Sequence, residues 1–158
     1  MAVTLDDLDV RILGELVRDG RSPVSQLAEA VGLSRPAVAE RIDKLERLGV
    51  IRGTTAVVDH VSLGRSITAF VSARGSAQLD PKAKKAFAQL LRSDEVLEAH
   101  TVAGDDCYLI KVRTDSIASL NLLVTKLTAP PLSLSTKTTI VMRTHCEKVG
   151  GVTLGEDV

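Results

Sequence analysis

Ser34, Arg35, Ala37, Glu40, Arg41 and Lys44 stand within one short helical stretch, with Arg21 before it and Arg52 after it. This mixture of guanidinium, carboxylate and small side chains suits duplex DNA. An arginine in the major groove grips guanine through two parallel N–H bonds, worth ~1–3 kcal/mol of discrimination. By their position on the helix, Ser34, Arg35, Ala37, Glu40 and Arg41 are assigned to base edges. The small Ser34 and Ala37 let the backbone approach a groove closely. Lys44, Arg21 and Arg52 are assigned to phosphates, whose contacts add salt-sensitive affinity without sequence preference. The competing reading is a solvated charged face laced with i,i+4 pairs such as Glu40–Lys44.

Charge supports a local footprint only. The 158 residues contain 20 basic and 20 acidic side chains, so the net charge is zero. Residues 1–59 hold 8 basic residues against 10 acidic, net −2, whereas residues 35–52 hold 5 against 3, net +2. So weak a patch predicts modest affinity per module, which multivalent binding to several half-sites would raise.

The remaining reactive side chains are sparse. His60, His100 and His145 are scattered, and no nucleophile–base pair, phosphate loop or carboxylate dyad is visible. Cys107 and Cys146 make neither a disulfide framework nor a zinc cluster, and both are expected to be buried, reduced thiols. A metal site built on Cys107, His145 and Cys146 would need further ligands fixed in space. The expectation is therefore a binding protein, not an enzyme, without metal or cofactor. Aromatic residues make up 2% of the chain, too few for the stacking platforms that hold single-stranded nucleic acid.

The elements that must position these groups follow from periodicity. Asp6 or Asp7 caps a first helix carrying Leu8, Ile12, Leu13 and Leu16, which Gly20 ends. Ser22 is expected to cap a second helix over residues 24–31, with Pro23 in its first position. Gly32 supplies the positive φ of a sharp turn. Ser34 caps a third helix, buried along Val38, Ile42, Leu45 and Leu48. Residues 51–59 (IRGTTAVVD) are β-branched and predict an exit strand.

Beyond a link at residues 60–65 the pattern changes. Strands are predicted at 66–74, 96–102, 108–112 and 134–146. Helices are predicted from Asp80-Pro81 to about residue 92, and from Asp115 or Ser116 to about residue 127. Pro130-Pro131 stops the latter. The order β-α-β-β-α-β is that of a ferredoxin-like sheet. The fold class is thus α+β: a helix-turn-helix (winged-helix-like) domain at 1–59, the link, a ferredoxin-like domain at 66–148, and a tail at 149–158. The amino terminus lacks a signal-peptide pattern, and no apolar run approaches the ~18–20 residues of a membrane span, so a cytoplasmic protein without membrane contact is expected.

Residues 5–59 closely resemble the amino-terminal domain of the leucine-responsive regulatory protein/AsnC (feast/famine) family. The matching pattern runs L-D-x-x-D-x-x-I-L, D-G-R, L-A-x-x-V-G-L-S and V-x-x-R-I-x-x-L-E-x-x-G-V-I-x-G. V-A-G-D-D-C-Y-L at residues 102–109 matches that family's effector domain, and the likeness covers about residues 4–148. The resemblance implies a transcriptional regulator that binds double-stranded DNA. It implies a homodimer held by the sheets, often assembled into tetramers or octamers, with an amino acid or related metabolite between effector domains.

The matching turn is Gly104-Asp105-Asp106. Glycine permits close backbone approach, turn amides can meet a carboxylate, and an aspartate can pair with an α-ammonium. A plain surface β-turn remains the alternative. Tyr108, Thr138 and Thr139 are further ligand candidates from neighbouring strands. Cys107, before Tyr108, departs from the family's usual aromatic or acidic neighbour and leaves the effector's identity open. A related group joins this architecture to tetrapyrrole decarboxylation through histidines, but no dense Arg/His cluster is present here. A metabolite-binding module without DNA binding is a third reading, opposed by the intact Ser34-Arg35 turn.

Overall fold

The computed structural model of the chain describes residues 3–75 and 79–148. They fall into two compact units, residues 3–57 with 146–148, and residues 58–145. The tail expected at 149–158 lies outside the described residues.

The first unit is helical. Helix α1 (Asp7–Arg18) begins at Asp6, whose side chain accepts from the Asp9 amide while Asp9 reaches back to the Asp6 amide. This reciprocal capping box satisfies two otherwise orphaned donors. Helix α2 (Val24–Val31) starts at Pro23, not at a Ser22 side-chain cap as expected. Proline has no N–H to satisfy, and its φ of −65° already suits the helix entry. Gly32 ends α2 in the left-handed region at φ 74°. Ser34 then caps helix α3 (Arg35–Arg47) through the Ala37 amide. Ile12, Leu27, Ala28, Val31 and Val38 form the core, with Leu8, Leu16, Val24, Leu33 and Ile42 packed around it.

The expected strand at 51–59 is absent, and residues 52–59 lie exposed. Their β-branched side chains favour extended backbone, but a strand needs a neighbouring ladder to receive its amides and carbonyls. None of the four strands of the described residues pairs with this segment.

The second unit carries four strands, β1 (Ile67–Arg74), β2 (Val96–Thr101), β3 (Tyr108–Thr114) and β4 (Ser135–Ile140), with α4 (Pro81–Leu90) and α5 (Ile117–Thr128) between them. The sheet order is β2-β3-β1-β4 and every pairing is antiparallel, the ferredoxin-like arrangement. Both helices cover one face. Ala83 and Leu90 of α4 and Leu120, Leu123 and Leu127 of α5 bury Ala69, Val71, Ala73, Ile110 and Val112. Phe70, Ser72, Leu109 and Lys111 belong to the opposite face by alternation and register. Strand β4 is shorter than the 134–146 expected. The Val141 amide makes the last ladder bond, to Thr68 O, and β1 starts one residue earlier, so residues beyond have no edge to pair with.

The cysteines also depart from expectation. Cys146 is exposed and Cys107 half-buried, both as free thiols. Cys107 sits beside the end of β1, where its amide donates to Ala73 O and its thiol to Gly75 O. No helix among the described residues is long and apolar enough to cross a membrane.

Candidate DNA-reading helix and effector turn

Helix α3 is held from below and open along its outer side. Val38 and Leu45 are buried, while Arg35, Glu40, Asp43, Glu46 and Arg47 are exposed. Ser34 and Arg35 stand exposed at its start, with Ala37 half-buried behind them. Arg21 and Arg52 are exposed on the flanking loops, and among the described residues neither they nor Arg35 forms an ion pair. These three cations are open to an anionic partner.

Arg41 and Lys44 are differently placed. Arg41 Nη1 donates to Asp9 Oδ1 at 2.6 Å and to Asp6 Oδ2 at 2.7 Å, and Lys44 Nζ donates to Asp9 Oδ2 at 3.0 Å. Asp9 has no exposed side-chain surface. Lys44 thus pairs with Asp9 of α1, not with Glu40 on its own helix. Burial pushes the Asp9 carboxyl up, but the hydrogen bonds from Lys44 and Arg41 outweigh it and leave the group below the usual carboxylate value. Asp6 is also lowered, chiefly by Arg41 and then by the Asp9 amide. In the sequence the two cations point to DNA, and nothing in the spacing of α3 marks their anionic partners. The signal that could have found them is the i,i+3 pair Asp6/Asp9, which reads first as a helix cap.

The net +2 of residues 35–52 rests on five cations, and two of these are matched by carboxylates from the start of α1. The local positive patch is therefore neutralised in the folded unit.

In the second unit, residues 103–106 close the β2–β3 hairpin. The Val102 amide donates to Cys107 O, and the Cys107 amide donates to Ala73 O at the end of β1. Gly104 adopts φ 135°. Asp105 is exposed, and Asp106 is half-buried with its Oδ1 3.9 Å from Arg74 Nη2. The sequence does not point to Arg74, because the register that sets β1 beside this turn is invisible in it. Tyr108 turns to the helix side, its ring 4.8 Å from that of Phe87 between centroids. Thr138 and Thr139 pair with Val71 and Phe70, so they occupy opposite faces of β4, separated from β3 by β1. The structure brings Gly104, Asp105 and Asp106 together and leaves both threonines on another strand.

His60 lies in the turn after residue 59, His100 on β2 with Nε2 3.4 Å from Glu98 Oε2, and His145 beyond β4. Among the described residues no three His, Cys, Asp or Glu side chains are grouped as a metal would require.

Residues 5–46 match the AsnC-type helix-turn-helix domain, and residues 68–150 match the Lrp/AsnC ligand binding domain. The chain belongs to the Lrp/AsnC family of transcriptional regulators. It is 34% identical to the HTH-type transcriptional regulator FL11 of Pyrococcus abyssi over 93% of this chain and 95% of that one. Among solved structures it is similar to AsnC of E. coli, with TM-score 0.80 and 30% identity over 92% of this chain and 97% of that one. A Neisseria meningitidis transcriptional regulator solved with L-Met shares the fold at TM-score 0.83 and 23% identity, over 92% and 95% of the two chains. The chain is thus an Lrp/AsnC regulator whose α1, α2 and all but the last residue of α3 lie within the matched helix-turn-helix domain.

Proposed function

We propose that this regulator binds operator DNA through the start of α3 and changes its assembly or DNA affinity when an amino acid or related metabolite binds its second unit. The observation that carries the DNA half is the exposed, unpaired Arg35 directly after the Ser34 cap, on a helix fixed by α1 and α2. Ser34, Arg35, Ala37 and Glu40 address base edges, and Arg21 and Arg52 address phosphates. Arg41 and Lys44, engaged by Asp6 and Asp9, seat α3 on α1 and take less part in the contact than their charge suggests.

For the effector, the turn Gly104-Asp105-Asp106 with Arg74 offers one cation, two carboxylates and open backbone amides, which together suit a zwitterion. Two copies join through the helix-free face of the sheet, where Phe70 is exposed, and pairs assemble further into tetramers or octamers. Such a dimer spaces its two α3 helices for half-sites roughly 10 base pairs apart or a multiple of that. The effector shifts the assembly only by its differential affinity for the states it joins. The chain acts in the cytoplasm, by binding and not by catalysis.

Selection from a random duplex pool with the full chain, followed by fluorescence anisotropy, tests the DNA half. Arg35→Ala should lose roughly 5- to 150-fold in specific affinity, the equivalent of ~1–3 kcal/mol. Undiminished binding by Arg35→Ala to the selected sequence rejects the assignment. A thermal-shift screen of the twenty amino acids, L-methionine among them, tests the effector half.

A further inference from the structure

The base of α3 holds an arrangement that the binding reading does not use. Asp9 is closed off from solvent and receives both Arg41 and Lys44, while Asp6, half exposed, receives the same Arg41 nitrogen. Between residues 35 and 52 the cations left unmatched are Arg35, Arg47 and Arg52, against the acids Glu40, Asp43 and Glu46. With the α1 carboxylates in place, α3 and its exit present no net positive charge. A helix meant to hold DNA mainly by charge would leave its cations open.

We infer that Asp6 and Asp9 are built-in counter-ions that withhold Arg41 and Lys44 from DNA phosphates, lowering sequence-independent affinity so that base-edge contacts decide where the protein stays. The inference rests on the reading that α3 faces DNA. Phosphate contacts strengthen every site equally, so each one removed lowers the tight background without touching discrimination. Arg41 and Lys44 have 26% and 43% of their side-chain surface exposed. A phosphate approaching α3 therefore competes with Asp6 and Asp9 for the same N–H donors.

Asp6→Asn separates this role from a structural one. Asparagine caps a helix as well as aspartate does, so the α1 start survives while one counter-charge is lost. Asp7→Asn makes the same charge change at an exposed position in the first turn of α1, away from these contacts. Binding of the full-length protein to a random-sequence 30-base-pair duplex is measured by anisotropy between about 50 and 200 mM salt. Asp6→Asn should bind roughly 3- to 10-fold more tightly at the low end, and its slope of log K against log salt should steepen by roughly 0.9 per freed cation. Asp9→Asn should move in the same direction, and Asp7→Asn should move much less. Adding Arg41→Gln to Asp6→Asn should remove the gain.

An Asp6→Asn protein no tighter than Asp7→Asn, or a gain that survives Arg41→Gln, overturns the counter-ion role while leaving α3 as the reading helix. A wild-type protein that binds no duplex at all, even at 50 mM salt, overturns the α3 reading and this inference with it.

Discussion

Arg41 Nη1 lies 2.6 Å from Asp9 Oδ1, joining the middle of α3 to the first turn of α1 across 32 positions of sequence. Asp9 sits on the buried stripe beside Ile12 and Leu13, where an unpaired carboxylate would be expensive. Two cations from α3 and the Asp6 amide make it tolerable. Arg41 and Lys44 lie one helical turn apart on α3, and both reach that one carboxylate.

Asp9→Ala should destabilise the first unit by about 2 kcal/mol, less than the ~3–5 kcal/mol of breaking a wholly buried pair. Arg41 keeps Asp6, and Lys44 can turn into solvent. Asp7→Ala, on the exposed side of the same turn, should stay within roughly 0.5 kcal/mol of wild type. Urea titrations followed by far-ultraviolet circular dichroism measure both, and equal midpoints for the two variants would contradict the pairing.

Acid should expose the same contacts. Asp6 and Asp9 hold their protons more weakly in the folded chain than in the unfolded one, because Arg41 and Lys44 favour their charged forms. Protonation therefore favours unfolding. Their contribution is complete above the ordinary value of 3.8 and is lost as pH falls below it through the depressed folded values. Glu98, lowered by Lys111 and then His100, adds the same sign in the second unit. The drop in urea midpoint between pH 7 and pH 3 should be smaller in Asp9→Asn than in wild type. An unchanged drop would assign acid sensitivity elsewhere.

Element types were legible because local signals and burial agree: Asp6, Ser34 and Asp80 cap the helices their sequences announce, and the β-α-β-β-α-β order is the observed one. What failed depends on partners. Residues 51–59 have strand composition but no ladder, and β4 ends where β1 runs out. The site was legible as residue types and not as pairings. Arg41 and Lys44 look like open cations in one dimension, since nothing in the spacing of α3 says that Asp9 lies beneath them. Arg74 likewise meets Asp106 only through sheet register.

The turn between α2 and α3 should be sensitive to backbone alone. Gly32 stands at φ 74° and ψ 34°, and an added Cβ would meet nothing within 4 Å. Gly32→Ala should therefore cost about 1 kcal/mol from the left-handed conformation and nothing from crowding. Gly32→Asn should cost less, because asparagine visits that region more readily. Thermal unfolding of the two variants ranks them, and a Gly32→Asn protein less stable than Gly32→Ala would show that the turn is not governed by its φ.

Arg74 and Asp106 face each other at 3.9 Å, too long for a firm hydrogen bond and close enough to share one small ligand. On the proposed reading a bound amino acid presents its carboxylate to Arg74 and the turn amides, and its ammonium to Asp106. Any amino acid that raises the melting temperature of the wild type should then raise that of Asp106→Asn much less. Loss of a charge-assisted bond, worth ~1.5–3 kcal/mol, weakens binding roughly 10- to 150-fold. Arg74→Gln should weaken the response to the same ligand and also to a des-amino analogue, whereas Asp106→Asn should affect only the ligand that carries the ammonium. Full thermal shifts in both variants would place the effector away from this turn.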